Sequence, residues 1–244
     1  MVKVTYLYHS GFAVELSEHV LVFDYYKGRL PEIPHGKKLL LFASHKHPDH
    51  FQLSAVKWAG EQEQAWIFLG KDIRLNENYL ERKGIPAQIL KKVTRLHDDE
   101  LMEVPEAGVT VRALRSTDQG AAFVVQTEGI CIYHAGDLNH WYWSEESESW
   151  NAQMEKDYKE QIDKLSKRHF QLAFVPLDPR LKEGYRLGLD YFLQKAEADA
   201  VFPMHMWEDY AVIRRYKQTE TGKRFAPVIQ EIKEPGQVFE FKNF

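Results

Sequence analysis

The stretch "ASHKHPDHF", residues 43–51, holds His45, His47, Asp49 and His50 within six positions. It follows "KLLLFAS", a continuous apolar run of the kind that forms a strand buried on both faces. A buried strand ending in four metal-ligand side chains constrains the fold sharply, because the sheet must present that strand end to a polar pocket. In an extended segment residues i, i+2 and i+4 share a face, so His45, His47 and Asp49 project together. Pro48 disfavours helix at His47 and supports that geometry. The chain then enters a helix from Phe51, where Asp49 also suits an N-cap. Two imidazoles can converge on one ion while Asp49 and His50 face a second position. Imidazole with carboxylate suits Zn²⁺ and similar divalent ions. A polar loop is the plain alternative, and four such residues at this spacing argue against it.

Elsewhere strands alternate with helices. Strands are expected in "VKVTYLYH", "FAVEL", "HVLVFDYY", "AWIFLG", "AQILKKV", "VTVRAL", "AAFVVQT", "ICIYHA", "QLAFVPL", "DAVFPMH" and "QVFEFK". Helices are expected in "FQLSAVKWA", stopped by Gly60, in "IRLNENYLERKG", stopped by Gly84, and in "LGLDYFLQKAEA" and "EDYAVIRRYKQ". Trp150, Met154, Tyr158, Ile162 and Leu165 recur at helical spacing, which gives a long amphipathic helix over 144–169. The pattern suggests sheets covered by helices in layers. With 244 residues, 44% of them hydrophobic, the chain can bury a large core. Residues 1–244 are read as one domain with a helical insertion near 144–169.

A net charge of -4 argues against a generic nucleic-acid binder but leaves room for a small anionic substrate. Cys131 is the one cysteine, so no intramolecular disulfide forms, which fits a reducing cytoplasm. The first residues lack the apolar core of a signal peptide, and the apolar runs are too short to span a bilayer. The expectation is a soluble cytoplasmic protein with a small-molecule partner and no membrane or nucleic-acid partner; homo-oligomerisation is left open.

His45-x-His47-x-Asp49-His50 resembles the H-x-H-x-D-H signature of the metallo-β-lactamase superfamily. "YHAGD", with Asp137, resembles the later motif whose aspartate bridges two metals. "FPMH", with His205, resembles the motif that supplies a ligand of the second metal. Asp24 closes an early strand where the superfamily places its first motif. "YLYHSGFAVE" and "HAGD" look most like the small UlaG-like branch, which includes ascorbate-6-phosphate lactonases. The resemblance implies an α/β (α+β) fold, a four-layer αββα sandwich, with the metals at one end of the sheets. It implies ligands His45, His47, Asp49, His50, Asp137 and His205 for two divalent ions, Zn²⁺ first. The usual third histidine of the first metal is missing from "RSTDQGAAF". Asp118 stands in its place, either as a carboxylate ligand or as a cap of the Ser116–Gly120 turn. As a ligand it neutralises the cluster together with Asp49, Asp137 and a bridging hydroxide, and it shifts preference toward Mn²⁺.

Other residues carry two readings each. Asp24 orients ligand histidines or caps a strand. His9 lies at the site rim or in a turn, and His134 lies behind the ligands or in the core. His140 reaches the pocket or misses it. Trp141 is a pocket wall or core, and Arg180 is an anion contact or solvated surface. His19, His35, His97 and His169 read as surface. The chemistry implied is hydrolysis of a small-molecule ester, lactone or phosphorylated substrate by metal-bound hydroxide, with Asp49 orienting the nucleophile and taking its proton. A phosphodiesterase or nuclease of the same superfamily, or a non-catalytic metal-binding protein, is the alternative.

Overall fold

The computed structural model describes residues 1–242; the last two residues of the expected 1–244 unit lie outside it. Among the described residues there are thirteen strands, one of which, Leu101–Val104, lies outside the runs read as strands from the sequence. They are β1 (Val2–Tyr8), β2 (Gly11–Glu15), β3 (His19–Phe23), β4 (Lys38–Ala43), β5 (Ala65–Gly70), β6 (Val93–Leu96) and β7 (Leu101–Val104). The others are β8 (Val109–Arg115), β9 (Ala121–Thr127), β10 (Ile130–His134), β11 (His169–Pro176), β12 (Glu197–Met204) and β13 (Val238–Phe241). Among the described residues six α-helices follow the same order: α1 (Leu53–Gly60), α2 (Glu77–Arg82), α3 (Glu148–Asp163), α4 (Leu187–Lys195), α5 (Ala211–Lys217) and α6 (Glu220–Phe225).

Among the described residues the strands form two sheets, ordered β13-β1-β2-β3-β4-β5-β6 and β12-β11-β10-β9-β8-β7. The alternation of side chains explains why β4 is apolar from Leu39 to Ala43. Leu40 and Phe42 point into the core between the sheets, where they meet residues such as Phe123. Leu39, Leu41 and Ala43 point outward to a second core under α1 and α2. On the other sheet α3 and α4 bury Tyr158, Ile162, Leu189 and Phe192, and Phe192 stacks on Tyr133 at 5.2 Å. The architecture is the αββα sandwich. Among the described residues no helix is long and apolar enough to cross a membrane.

Several local expectations fail for visible reasons. "AQILKK" is a 3₁₀ helix over Ala87–Lys92, and only Val93 onward is strand. α1 starts at Leu53 with Gln52 at its N-cap, so Asp49 caps nothing. Gly60 lies within α1 rather than ending it in a left-handed conformation, whereas Gly84, at φ +69°, does follow the end of α2. α2 runs only from Glu77 because the Asn76 side chain caps it. α3 is shorter than 144–169 and starts at Glu148 after a Ser147 cap. His19 is buried, held by Glu128 at 2.7 Å and the Ala107 carbonyl at 2.6 Å, and is not surface.

The sheet order places the site. Strands β1 and β3–β6 run in one direction, as do β8 and β10–β12. Their carboxyl ends gather at one edge of the sandwich, the usual position for a site in such sheets. There Ser44 is packed against three glycines. A Cβ at Gly70 or Gly120 would lie 1.9 Å from the Ser44 carbonyl oxygen, and one at Gly136 would lie 2.6 Å from its Cβ. Gly120 also sits at φ +67°. Gly120→Ala is therefore expected to destabilise the protein by about 3 kcal/mol, a Tm drop of roughly 6–12 °C, and to displace His45. Thermal melts with metal-binding titrations check this; an unchanged Tm would mean that the loop yields freely.

Candidate metal centre

Seven loops at this edge bring polar side chains together. His9 follows β1, Asp24 follows β3, and residues 45–50 follow β4. Asp118 lies in the β8–β9 turn, Asp137 follows β10, Asp178 follows β11 and His205 follows β12. In residues 47–51 the chain turns sharply, with His50 N–H and Phe51 N–H both donating to the His47 carbonyl. That turn sends His45 and His47 one way and Asp49 and His50 the other.

Two donor groups result. His45, His47, Asp118 and Asp137 form one, and His9, Asp49, His50 and His205 form the other; within each, one donor atom per residue lies within 4.8 Å of the rest. Asp137 spans them. Its Oδ2 is 3.4 Å from His45 Nε2, while its Oδ1 is 3.2 Å from His50 Nε2 and 3.4 Å from His205 Nε2. Asp49 Oδ2 is 3.3 Å from His9 Nε2. Two donors bound to one tetrahedral Zn²⁺ stand about 3.3 Å apart, given Zn–N and Zn–O bonds near 2.0–2.1 Å. Both His9 ring nitrogens, His50 Nε2 and Asp137 Oδ1 are buried without a hydrogen-bond partner among the described residues. Orphaned buried donors at ligand spacing fit divalent cations.

A layer of carboxylates and carbonyls aims the rings. Asp24 accepts from the Ser44 amide, the Ser44 hydroxyl and His50 Nδ1, each at 2.7 Å, which turns His50 Nε2 toward Asp137. Ser44 Oγ lies 2.9 Å from His45 Nδ1 and leaves its Nε2 facing inward. Asp178 does for His205 what Asp24 does for His50, at 2.9 Å. His134 donates to the Ser10 carbonyl at 2.9 Å and stacks on Phe23, so it lies behind the donors. His9, Asp24, His205, Trp207 and Glu208 all have positive φ, so backbone strain is concentrated at this edge.

The charges are strongly coupled. Burial pushes His9 and His45 down to about 4. Burial also disfavours the His50 imidazolium, but Asp137, Asp24 and Asp49 outweigh it and raise His50 to about 9. Burial opposes ionisation of Asp24, yet His134, His50 and His45 hold its carboxyl at about 2. Asp49 is likewise held below the usual range, by His9 and His50 against the effect of burial.

The remaining sequence candidates separate. Asp118 Oδ2 is 3.7 Å from His47 Nδ1. The Ser116 hydroxyl, not the Asp118 carboxylate, accepts the turn's amide at 3.1 Å. Trp141 donates to the Asp137 carbonyl at 2.9 Å and packs on His205. Arg180 lines the cavity over the donors. His140 belongs to neither group and lies beside Tyr158, 6.1 Å between ring centroids. His9 is deeper than the rim position expected for it, and Asp178 escaped the sequence reading altogether.

A Beta-lactamase superfamily domain model matches residues 3–152 of the chain, more than half its length. The chain belongs to this family. A UPF0173 metal-dependent hydrolase of Pyrococcus furiosus is 27% identical over 144 residues, covering 56% of this chain and 62% of the relative. The chain is thus matched to less than two thirds of that relative's length. Among solved structures, Igni18, a metallo hydrolase from Ignicoccus hospitalis, superimposes with a TM-score of 0.62 at 18% identity over 99% of both chains. CmlA, a diiron beta-hydroxylase from Streptomyces venezuelae, gives a TM-score of 0.55 at 12% identity, covering 85% of this chain and 45% of that one. Proteins that share this sandwich therefore carry different chemistries, and the reaction has to be argued from the site.

Asp118→Asn tests the one departure from the histidine pattern. If each donor group holds one ion, the amide, with Ser116 holding the turn, should fold normally but bind metal poorly, and the metal content is expected to fall toward one ion. Elemental analysis after dialysis checks it; two ions held at parental affinity would remove Asp118 from the ligand set.

Proposed function

We propose that the chain is a metal-dependent hydrolase that holds two divalent ions and cleaves a small-molecule ester, lactone or phosphorylated substrate. The observation carrying this reading is the pair of donor groups joined through Asp137 at the base of an open cavity of about 370 Å³. His45, His47 and Asp118 would hold one ion; His9, Asp49, His50 and His205 would hold the other. Zn²⁺ suits the imidazoles, and the three carboxylates make Mn²⁺ the alternative. Bound divalent ions lower the pKa of coordinated water and polarise a carbonyl or phosphoryl oxygen.

The chain's own residues supply the order. Asp49 faces both the second donor group and the cavity, so it orients the attacking group. Its depressed pKa makes it a hydrogen-bond acceptor rather than a store for the released proton. Asp24 and Asp178 keep the ring nitrogens aimed. Trp141 closes one wall against water. The family membership and the hydrolase relative in Pyrococcus furiosus support the reading, and "YLYHSGFAVE" and "HAGD" favour the UlaG-like branch within it. The net charge of -4 favours a small molecule over nucleic acid as substrate.

Protein purified without chelator should contain two transition-metal ions per chain, or take them up from Zn²⁺ or Mn²⁺. It should turn over at least one of a panel of esters, lactones, phosphomonoesters and phosphodiesters, and a chelator should abolish that activity. Failure to bind either metal would overturn the proposal.

A further inference from the structure

The cavity over the donors has an apolar wall. Trp141, Trp143, Trp150 and Met154 line it from the segment after β10 and the start of α3, and Trp207 lines it from the segment after β12. Trp150 is 36% exposed and Trp207 41% exposed, so two of the few large exposed apolar side chains of the described residues meet at one opening. Trp150 sits on the helix whose Tyr158 and Ile162 are fully buried, so core packing does not account for it. Trp207 holds a positive φ of 51°, a conformation that costs energy for a bulky residue. Both positions gain a rationale if a ligand completes the packing.

A cation is fixed in the same lining. Arg180 donates through Nε to Asp178 at 2.9 and 3.0 Å and through Nη2 at 2.5 Å. Its guanidinium lies 4.6 Å from the Trp207 ring centroid. Nη1 has no partner among the described residues, and the side chain is 46% exposed. A guanidinium locked on two sides with a donor left over is preorganised for an oxyanion.

We propose that this cavity selects an amphipathic monoanion, with its apolar body on Trp141, Trp143, Trp150 and Met154 and its anionic end at Arg180. Resting on the hydrolase reading, the assignment lays the scissile bond over Asp137. It differs from the polar phosphosugar class that the UlaG-like resemblance implies. The polar donors hold the reacting end, while the tryptophans select by apolar contact.

Binding can be measured apart from catalysis. Metal-replete protein is titrated with acetate, butanoate, hexanoate, octanoate and uncharged 1-octanol, read by tryptophan fluorescence and calorimetry. Affinity should rise roughly threefold per added methylene, and octanoate should bind at least tenfold tighter than octanol. Trp150→Ala should weaken octanoate at least fivefold and leave acetate unchanged. Arg180→Gln should weaken octanoate and leave octanol unchanged, with metal content verified in both variants. Equal binding of acetate and octanoate by the parent protein overturns the apolar assignment without relying on any variant. Undiminished octanoate binding by Arg180→Gln overturns the anion anchor. The chain-length dependence without turnover of any ester, lactone or phosphate ester of the panel would sink the hydrolase reading and leave the pocket assignment standing. Turnover with no preference for apolar esters would do the reverse.

Discussion

Asp49→Ala is expected to lose about a thousandfold or more in turnover while its metal-free melting temperature stays within about two degrees of the parent's. Both halves follow from what the carboxylate touches. Its polar neighbours are His9 Nε2 at 3.3 Å and His50 Nε2 at 3.9 Å, both buried beneath it, while Asp49 itself lines the cavity. The turn around it is held by backbone bonds to the His47 carbonyl, and α1 is entered through Gln52. No element of the fold rests on its side chain, so its removal should be felt in chemistry. Melting has to be compared in chelator, because bound metal stabilises the native state by mass action and a variant that binds less metal would melt earlier for that reason alone. Retention of a tenth or more of the parental turnover by a folded variant with full metal content would reject the role.

The residues of the site are unequally legible in the sequence. Residues 43–51 announced themselves because the ligands are consecutive and the run before them is apolar on both faces. Asp137 and His205 were readable because each follows an apolar strand. Asp178 was not, since its only local signal is a place before Pro179; it matters because β11 and β12 pair in parallel and set it beside His205, 27 positions on. The depth of His9 is hidden from the sequence for a similar reason. Its depth comes from a left-handed backbone held by the Tyr6 hydroxyl, which accepts from the His9 amide at 2.8 Å, and from the opposite sheet closing over it. Secondary structure erred where side-chain caps beat periodicity, as at Asn76 and Ser147, and where the β-rich "AQILKK" met the curvature of a 3₁₀ turn.

Metal uptake is expected to strengthen about tenfold per pH unit between pH 6 and 7, and the contribution of His50 to that slope should end near its pKa of about 9. The sign follows from the raised value. In the metal-free protein three carboxylates keep His50 as an imidazolium at neutral pH, with Nδ1 bonded to Asp24 and Nε2 beside Asp137. A ligand nitrogen must be neutral, so binding expels the Nε2 proton, and the apparent affinity falls as pH drops further below the pKa. His9 and His45, held at about 4, are already neutral and add no slope in this range. Ionising water at the site adds slope only above about pH 7, so the lower interval excludes that contribution. Zn²⁺ competition titrations against a chromophoric chelator give the slope, and calorimetry in two buffers of different ionisation enthalpy gives the released proton. Asp24→Asn should lower the pKa of His50 and flatten the dependence, at the cost of a less firmly aimed ring. An affinity independent of pH from 6 to 7 would mean that His50 is neutral before the ion arrives and that the carboxylates around it are matched to the metal alone.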